Sequence, residues 1–278
     1  MFCKKSEANI FKQLDKILSS GKVIAGLGDG EKVALLQKFD HLLFLCSNYP
    51  SAGKIKRALE GFGKKIEIIS CAREVEDEND KNLLPFAQGV NKYLSGQLDG
   101  LIFLPSSAMI KFDKSKFEPI ILNKNGTADI DKLSQKLASL GYERVSLVEE
   151  AGQFAVRGEI VDIFLTTLDA PVRIEFFDDL IEKISTFEVS TMKNKGQMEK
   201  LEIFSASLPI GKDDVFTLDG VKIMDEPKKV MEEIELLKHS YQAMSIYKPS
   251  LYAEFEDLYE RADYLFDNFD IAPVSYKN

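Results

Sequence analysis

Two residue periods share this 278-residue chain, and the switch between them limits the folds open to it. In the first third, short apolar runs alternate with amphipathic stretches. Lys22–Leu27, Leu42–Cys46, Ile66–Ile69 and Gly100–Leu104 read as strands. Gly30–Phe39, the stretch from a Ser51 cap to about Phe62, and Leu83–Leu94 read as helices, with Gly61–Gly63 as a stop. Runs that are apolar at every residue suit strands buried on both faces of a parallel sheet. The intervening helices then act as right-handed crossovers. A further helix is expected through Ile10, Phe11, Leu14 and Ile17, and residues 72–82 (AREVEDENDKN) read as a charged loop.

After Phe117 the pattern changes. Pro119–Leu122 reads as a strand and Ile130–Leu140 as a helix stopped by Gly141. From Val145 to about Phe204 the period is two. Phe154 and Val156 share one face, with Gln153, Ala155 and Arg157 on the other. Val172, Ile174 and Phe176 point inward while Arg173 and Glu175 point outward, which predicts an antiparallel sheet with one wet face. Past Leu208-Pro209 the first style returns, with a strand at Val221–Met224 and helices at Lys228–Tyr241 and Leu251–Phe269. The expected class is therefore α/β. A parallel-sheet domain of residues 1–116 plus 209–278 is interrupted by a small α+β insert, 117–208, with an antiparallel sheet.

Composition removes several functions. The net charge of −9 and pI near 5.0 oppose strong autonomous binding of DNA. The best basic candidates, Lys54, Lys56, Arg57, Lys64 and Lys65, read as a solvated helix face. Cys3, Cys46 and Cys71 are widely spaced, and the histidines are His41 and His239, so no metal site is expected. Cys46, inside LLFLC, reads as a buried thiol of a reducing cytoplasm. No run of eighteen apolar residues suggests a membrane span, and the N-terminus lacks the apolar core of a secretory signal.

One loop invites a nucleotide. Gly26-Leu-Gly-Asp-Gly-Glu31-Lys32-Val33 can be laid on the phosphate-loop pattern G-x-x-x-x-G-K-[ST]. Gly26 and Lys32 fit. Glu31 replaces a glycine and brings negative charge toward the phosphate position, and Val33 replaces the hydroxyl that would ligate magnesium. Asp225-Glu226 has the form of an acidic pair that would hold Mg²⁺ opposite a working loop. Without one, Asp225 reads as a strand-end cap with Pro227 in the first helical turn. The loop is expected to be chemically inactive, and no catalytic residue, cofactor or metal is assigned to this region.

The chain has six arginines against thirty lysines, and Arg144, Arg157 and Arg173 fall within residues 141–187. Arginine's planar fork of donors suits protein recognition and is a favoured interface hot spot. The order of residues there is specific. Tyr142 and Arg144 lead through Gly152 and Phe154 to Arg157-Gly158, then Asp162-Ile163-Phe164. Pro171-Val172-Arg173-Ile174-Glu175-Phe176-Phe177 and the Asp178-Asp179 turn follow. This string resembles the insert domain of the UvrB excision-repair protein, and more closely the UvrB homology region of the transcription-repair coupling factor family (Mfd). GLIFLPSSAMI (100–110) and VKIMDEP (221–227) are similar to flanking segments of that family.

The resemblance implies an N-terminal module with a degenerate RecA-like domain and an insert that binds UvrA, recruiting nucleotide excision repair to stalled RNA polymerase. Arg144 and Arg157 match its UvrA-contacting arginines, Arg173 joins them as a candidate, and Ala155 stands where a third would be. RNA polymerase and DNA would be engaged by other domains of a parent translocase, where ATP and Mg²⁺ would be used. The module itself is expected to be a non-enzymatic, cytoplasmic monomer. Two alternatives stay open: an ATP-dependent repair helicase or excinuclease subunit of UvrB type, and an autonomous DNA-binding module.

Overall fold

The computed structural model describes residues 18–19, 21–69, 71 and 83–267. The expected N-terminal helix, Cys3 and the charged loop 72–82 lie outside them. The chain runs β1 (Val23–Ala25), α1 (Asp29–Leu36), β2 (Leu42–Leu45), α2 (Tyr49–Gly61), β3 (Ile66–Ile69), α3 (Leu84–Leu94), β4 (Gly100–Phe103) and α4 (Pro105–Ala108). It continues with β5 (Ile120–Asn123), α5 (Ile130–Ser139), β6 (Glu143–Arg144), β7 (Gln153–Arg157) and β8 (Ile160–Ile163). Then come β9 (Val172–Phe177), β10 (Leu180–Phe187), β11 (Asn194–Met198), β12 (Lys200–Ile203), β13 (Val221–Asp225), α6 (Pro227–Ala243), α7 (Phe255–Arg261) and β14 (Tyr264–Asp267).

Two compact units divide the described chain. The first gathers 21–69, 96–111 and 212–267, and the second gathers 83–95 and 112–211, so α3 goes with the second. The first unit is built on a six-stranded sheet of order β1-β14-β13-β2-β4-β3, parallel at every pairing. All four residues of β2 and of β4 are buried, as their unbroken apolar runs require. Leu35, Leu36, Phe44, Leu59 and Ile102 share its core.

Two local expectations are corrected. The cap of α2 is Asn48, whose side-chain oxygen accepts from the Ser51 backbone N–H at 3.0 Å, with Pro50 in the first turn. Leu251–Phe269 is not one helix. Pro249–Leu251 is a 3-10 turn, α7 ends at Arg261, and Tyr264–Asp267 is a strand inserted between β1 and β13. Tyr264, Leu265 and Phe266 are adjacent apolar residues that a two-sided strand buries and a one-sided helix does not.

The second unit carries a six-stranded sheet, β11-β10-β9-β8-β7-β6, and a two-stranded ribbon, β12-β5. The large sheet is antiparallel except at its edge, where β6 runs parallel to β7. One face holds Phe154, Val161, Ile174, Phe176 and Ile184, in one buried cluster with Leu133 and Leu137 of α5. The other face is not uniformly wet, because Ala155, Asp162 and Ser185 on it are buried. Tyr142, at the end of α5, donates its hydroxyl to the Phe204 carbonyl at 2.9 Å.

Gly100 opens β4 where β2 passes closest. A Cβ there would lie 2.9 Å from both the Cβ and the carbonyl oxygen of Leu42. Neither atom can withdraw without breaking the central pairing. Gly100→Ala is expected to lower stability by about 1–3 kcal/mol, the usual range for overpacking, read as a lower urea midpoint.

Candidate functional site

The second face of the insert sheet is ordered by strand register. One row across it is Ala155, Asp162, Arg173 and Ser185, and the next is Arg157, Ile160, Glu175 and Lys183. Asp162 is 1% exposed. A carboxylate buried this far needs charged donors. Arg173 supplies two, from Nε to Oδ1 at 2.7 Å and from Nη2 to Oδ2 at 2.8 Å, and Arg157 supplies a third from Nη2 to Oδ2.

The two arginines differ in what they leave over. The Arg173 side chain is 16% exposed, its guanidinium lies 4.8 Å from the centre of the Phe187 ring, and its bond to Asp162 raises its pKa. The Arg157 side chain is 45% exposed, so much of its fork faces solvent in a fixed orientation. Glu175, on the same face of β9 as Arg173, accepts from Lys183 Nζ at 2.7 Å. Arg144 is not part of this cluster. It is exposed on the edge strand, its register partner is Phe154 rather than Arg157, and it makes no side-chain ion pair among the described residues.

The phosphate-loop candidate lies in the first unit and is occupied by its own side chains. Lys32, nearly buried, donates Nζ to Asp225 Oδ1 at 2.6 Å. Asp225 is therefore an ion-pair partner and not a helix cap. Burial pushes its carboxyl above the ordinary range, while the charge of Lys32 opposes that shift. The cap position of α6 falls to Glu226, in left-handed backbone (φ 51°), with Pro227 next. Glu31 sits inside the first turn of α1, so it costs no left-handed backbone. Its Oε2 accepts from the Gly28 N–H at 2.9 Å. A carboxylate thus fills the N-terminal donor site where a phosphate would bind.

Beside these groups is a cleft of about 650 Å³, walled by Leu27, Val33, Ile55, Ala58 and Phe62 and also lined by Lys32 and Asp225. Cys46, buried next to the pair, has its thiol pushed up to about 12 by burial and is unreactive in this setting. The basic candidates on and just after α2 are partly spent: Lys56 lies 3.6 Å from Glu60, and Lys64 binds Asp40 at 2.7 Å. Among the described residues no cluster of His, Cys, Asp or Glu is placed to hold a metal, and no helix is long and apolar enough to cross a membrane.

The sequence profile of the family described as "UvrB interaction domain" matches residues 120–208. The insert is similar to UvrB interaction domains over that span. Beyond it, the chain is similar to transcription-repair-coupling factors. One from Staphylococcus epidermidis (RP62A) is 26% identical over 302 aligned positions, covering 95% of this chain and 25% of the relative. Another, from Staphylococcus aureus (bovine RF122), is 26% identical over 250 positions, covering 82% and 20%. The chain therefore spans about a quarter of the length of the curated relatives it matches, and has the character of a UvrB-like module of such factors.

Sequence reading singled out all three arginines and allowed Asp162 as a cross-strand partner of Arg173, but missed that Arg157 binds the same carboxylate. The available signal was an acid between Val161 and Ile163 on the face that carries Arg157 and Arg173. The Lys32–Asp225 pair is testable directly. Lys32→Met strands a buried carboxylate and is expected to cost about 3–5 kcal/mol, which Lys32→Met/Asp225→Leu recovers. In the single variant Asp225 has a raised folded pKa, so the folded state holds the extra proton. Its loss of stability should then shrink as pH falls toward 4 and grow as pH rises. Urea unfolding across that range checks both.

Proposed function

We propose that this chain is a protein-docking module of a transcription-repair coupling factor, and that its insert binds UvrA. Arg157 carries the reading: an exposed guanidinium fixed by a buried carboxylate, inside a domain of the UvrB interaction family. A pre-oriented fork loses little freedom on meeting a carboxylate and binds it bidentately. Arg144 adds a second exposed cation at the sheet edge. Arg173 contributes mainly by holding Asp162, with its small exposed edge at the rim.

In this reading the module performs no phosphoryl transfer. A nucleotide would have to displace the Glu31 carboxylate from the helix terminus and break a buried ion pair, and Val33 offers magnesium no oxygen. ATP and Mg²⁺ belong to the motor of the longer parent protein. That parent brings the module, and through it the excision machinery, to stalled RNA polymerase on DNA. The work is cytoplasmic, and the module acts as a monomer.

Titration with purified UvrA tests the docking. Arg144→Ala and Arg157→Ala are each expected to cost about 1–3 kcal/mol of binding free energy. Undiminished binding by both variants would contradict the assignment. A magnesium-dependent ATPase assay of the isolated chain should show no turnover that Lys32→Ala removes.

A further inference from the structure

We propose that the cleft beside the Lys32–Asp225 pair is a binding site for a flat aromatic molecule carrying one negative charge. The inference goes beyond the docking of UvrA and does not depend on it, because every lining residue belongs to the first unit. One wall follows from helical spacing. Ser51, Ile55 and Ala58 recur along one stripe of α2, and Phe62 follows as its C-terminal cap. From Ser51 to Phe62 the stripe runs about 16 Å. Leu27 and Val33 give apolar surface on the α1 side. Gly30 adds no side chain there, and a Cβ built on it would meet nothing within 4 Å. A volume of about 650 Å³ is that of a site for a small organic molecule. Phe62, 61% exposed, offers its ring for stacking.

The charges of the lining decide what the rings carry. Lys32 and Asp225 cancel, and Glu226 binds Lys229 at 2.7 Å. Neither pair calls for a counter-charge from a ligand, so the apolar walls can be covered by uncharged rings. Lys54 is exposed and makes no ion pair among the described residues. The Ser51 hydroxyl, one turn earlier on the same helix, has no hydrogen-bond partner among them. A cation and a hydroxyl one turn apart suit one small anionic group. More negative charge is rejected. Asp29 is exposed at the start of α1, and the Glu31 carboxylate already holds the Gly28 N–H. A polyphosphate would meet both carboxylates, whereas a single sulfonate or carboxylate at Lys54 answers the one cation left unspent.

The probes are anilinonaphthalene sulfonate, its uncharged relative N-phenyl-naphthylamine, and MgATP. Fluorescence titration of the unaltered chain should show saturable binding of the first two at one site, with no displacement by excess MgATP. Ala58→Trp and Gly30→Leu narrow the cleft and are each expected to raise both Kd values about tenfold. Gly30→Leu replaces a helical glycine that has open space around it, so it should melt no lower than the parent and serves even if Ala58→Trp disturbs the fold. Lys54→Met should weaken the sulfonate about threefold and leave the uncharged amine unchanged, and Lys54→Arg should restore the sulfonate. Absence of saturable binding, or parental affinity in the folded narrowing variants, overturns the site. Equal affinity of Lys54→Met and the parent for the sulfonate overturns the assigned charge, and displacement by MgATP overturns the exclusion of polyphosphates.

Discussion

Asp162 is the constraint around which the insert is arranged. A carboxylate 1% exposed in the middle of a sheet is tolerable only while cations hold it, and removing a partner from such a group costs far more than a surface ion pair contributes. Two strands supply those cations. Arg173 stands opposite it on β9 and Arg157 reaches it from β7. The register of three strands is thereby tied to one carboxylate. A slip by one residue would turn Asp162 toward Phe154 and Ile174 and leave both arginines unpaired. The tie that fixes the register also fixes the direction of Arg157, so the orientation of its exposed fork is a consequence of folding.

The same chemistry has the opposite outcome in the first unit. Lys32 and Asp225 also form a short cation–carboxylate pair, but both partners are buried and each is taken up by the other. Glu31 completes the closure by supplying the helix terminus with its own anion. The cleft of about 650 Å³ keeps the shape of a binding site while Lys32 and Asp225 in its lining satisfy one another.

Much of the frame was legible in the sequence. β2, β3 and β4 are runs with apolar residues on both sides, and such runs leave a parallel sheet with covering helices as the natural solution. Tyr264–Asp267 was not legible as a strand. The apolar residues from Leu251 to Leu265 also fit a helical stripe, and only insertion between two distant strands decides for the sheet. On the insert, the scarcity of arginine pointed to β7 and β9, the strands whose arginines hold Asp162. Ala155 was read as a wet-face position because period two gives the side of a residue and not what lies over it. The Arg157–Asp162 bond depends on a diagonal reach of a long side chain between neighbouring strands, and spacing along one strand does not encode that.

Hydrogen exchange of the chain, measured with and without saturating UvrA, tests the division of labour most directly. Slowed exchange is expected in residues 153–163 and 172–187, with the loop and helix from 26 to 36 unchanged. Protection confined to 26–36, with the insert sheet exchanging as in the free chain, would contradict the account.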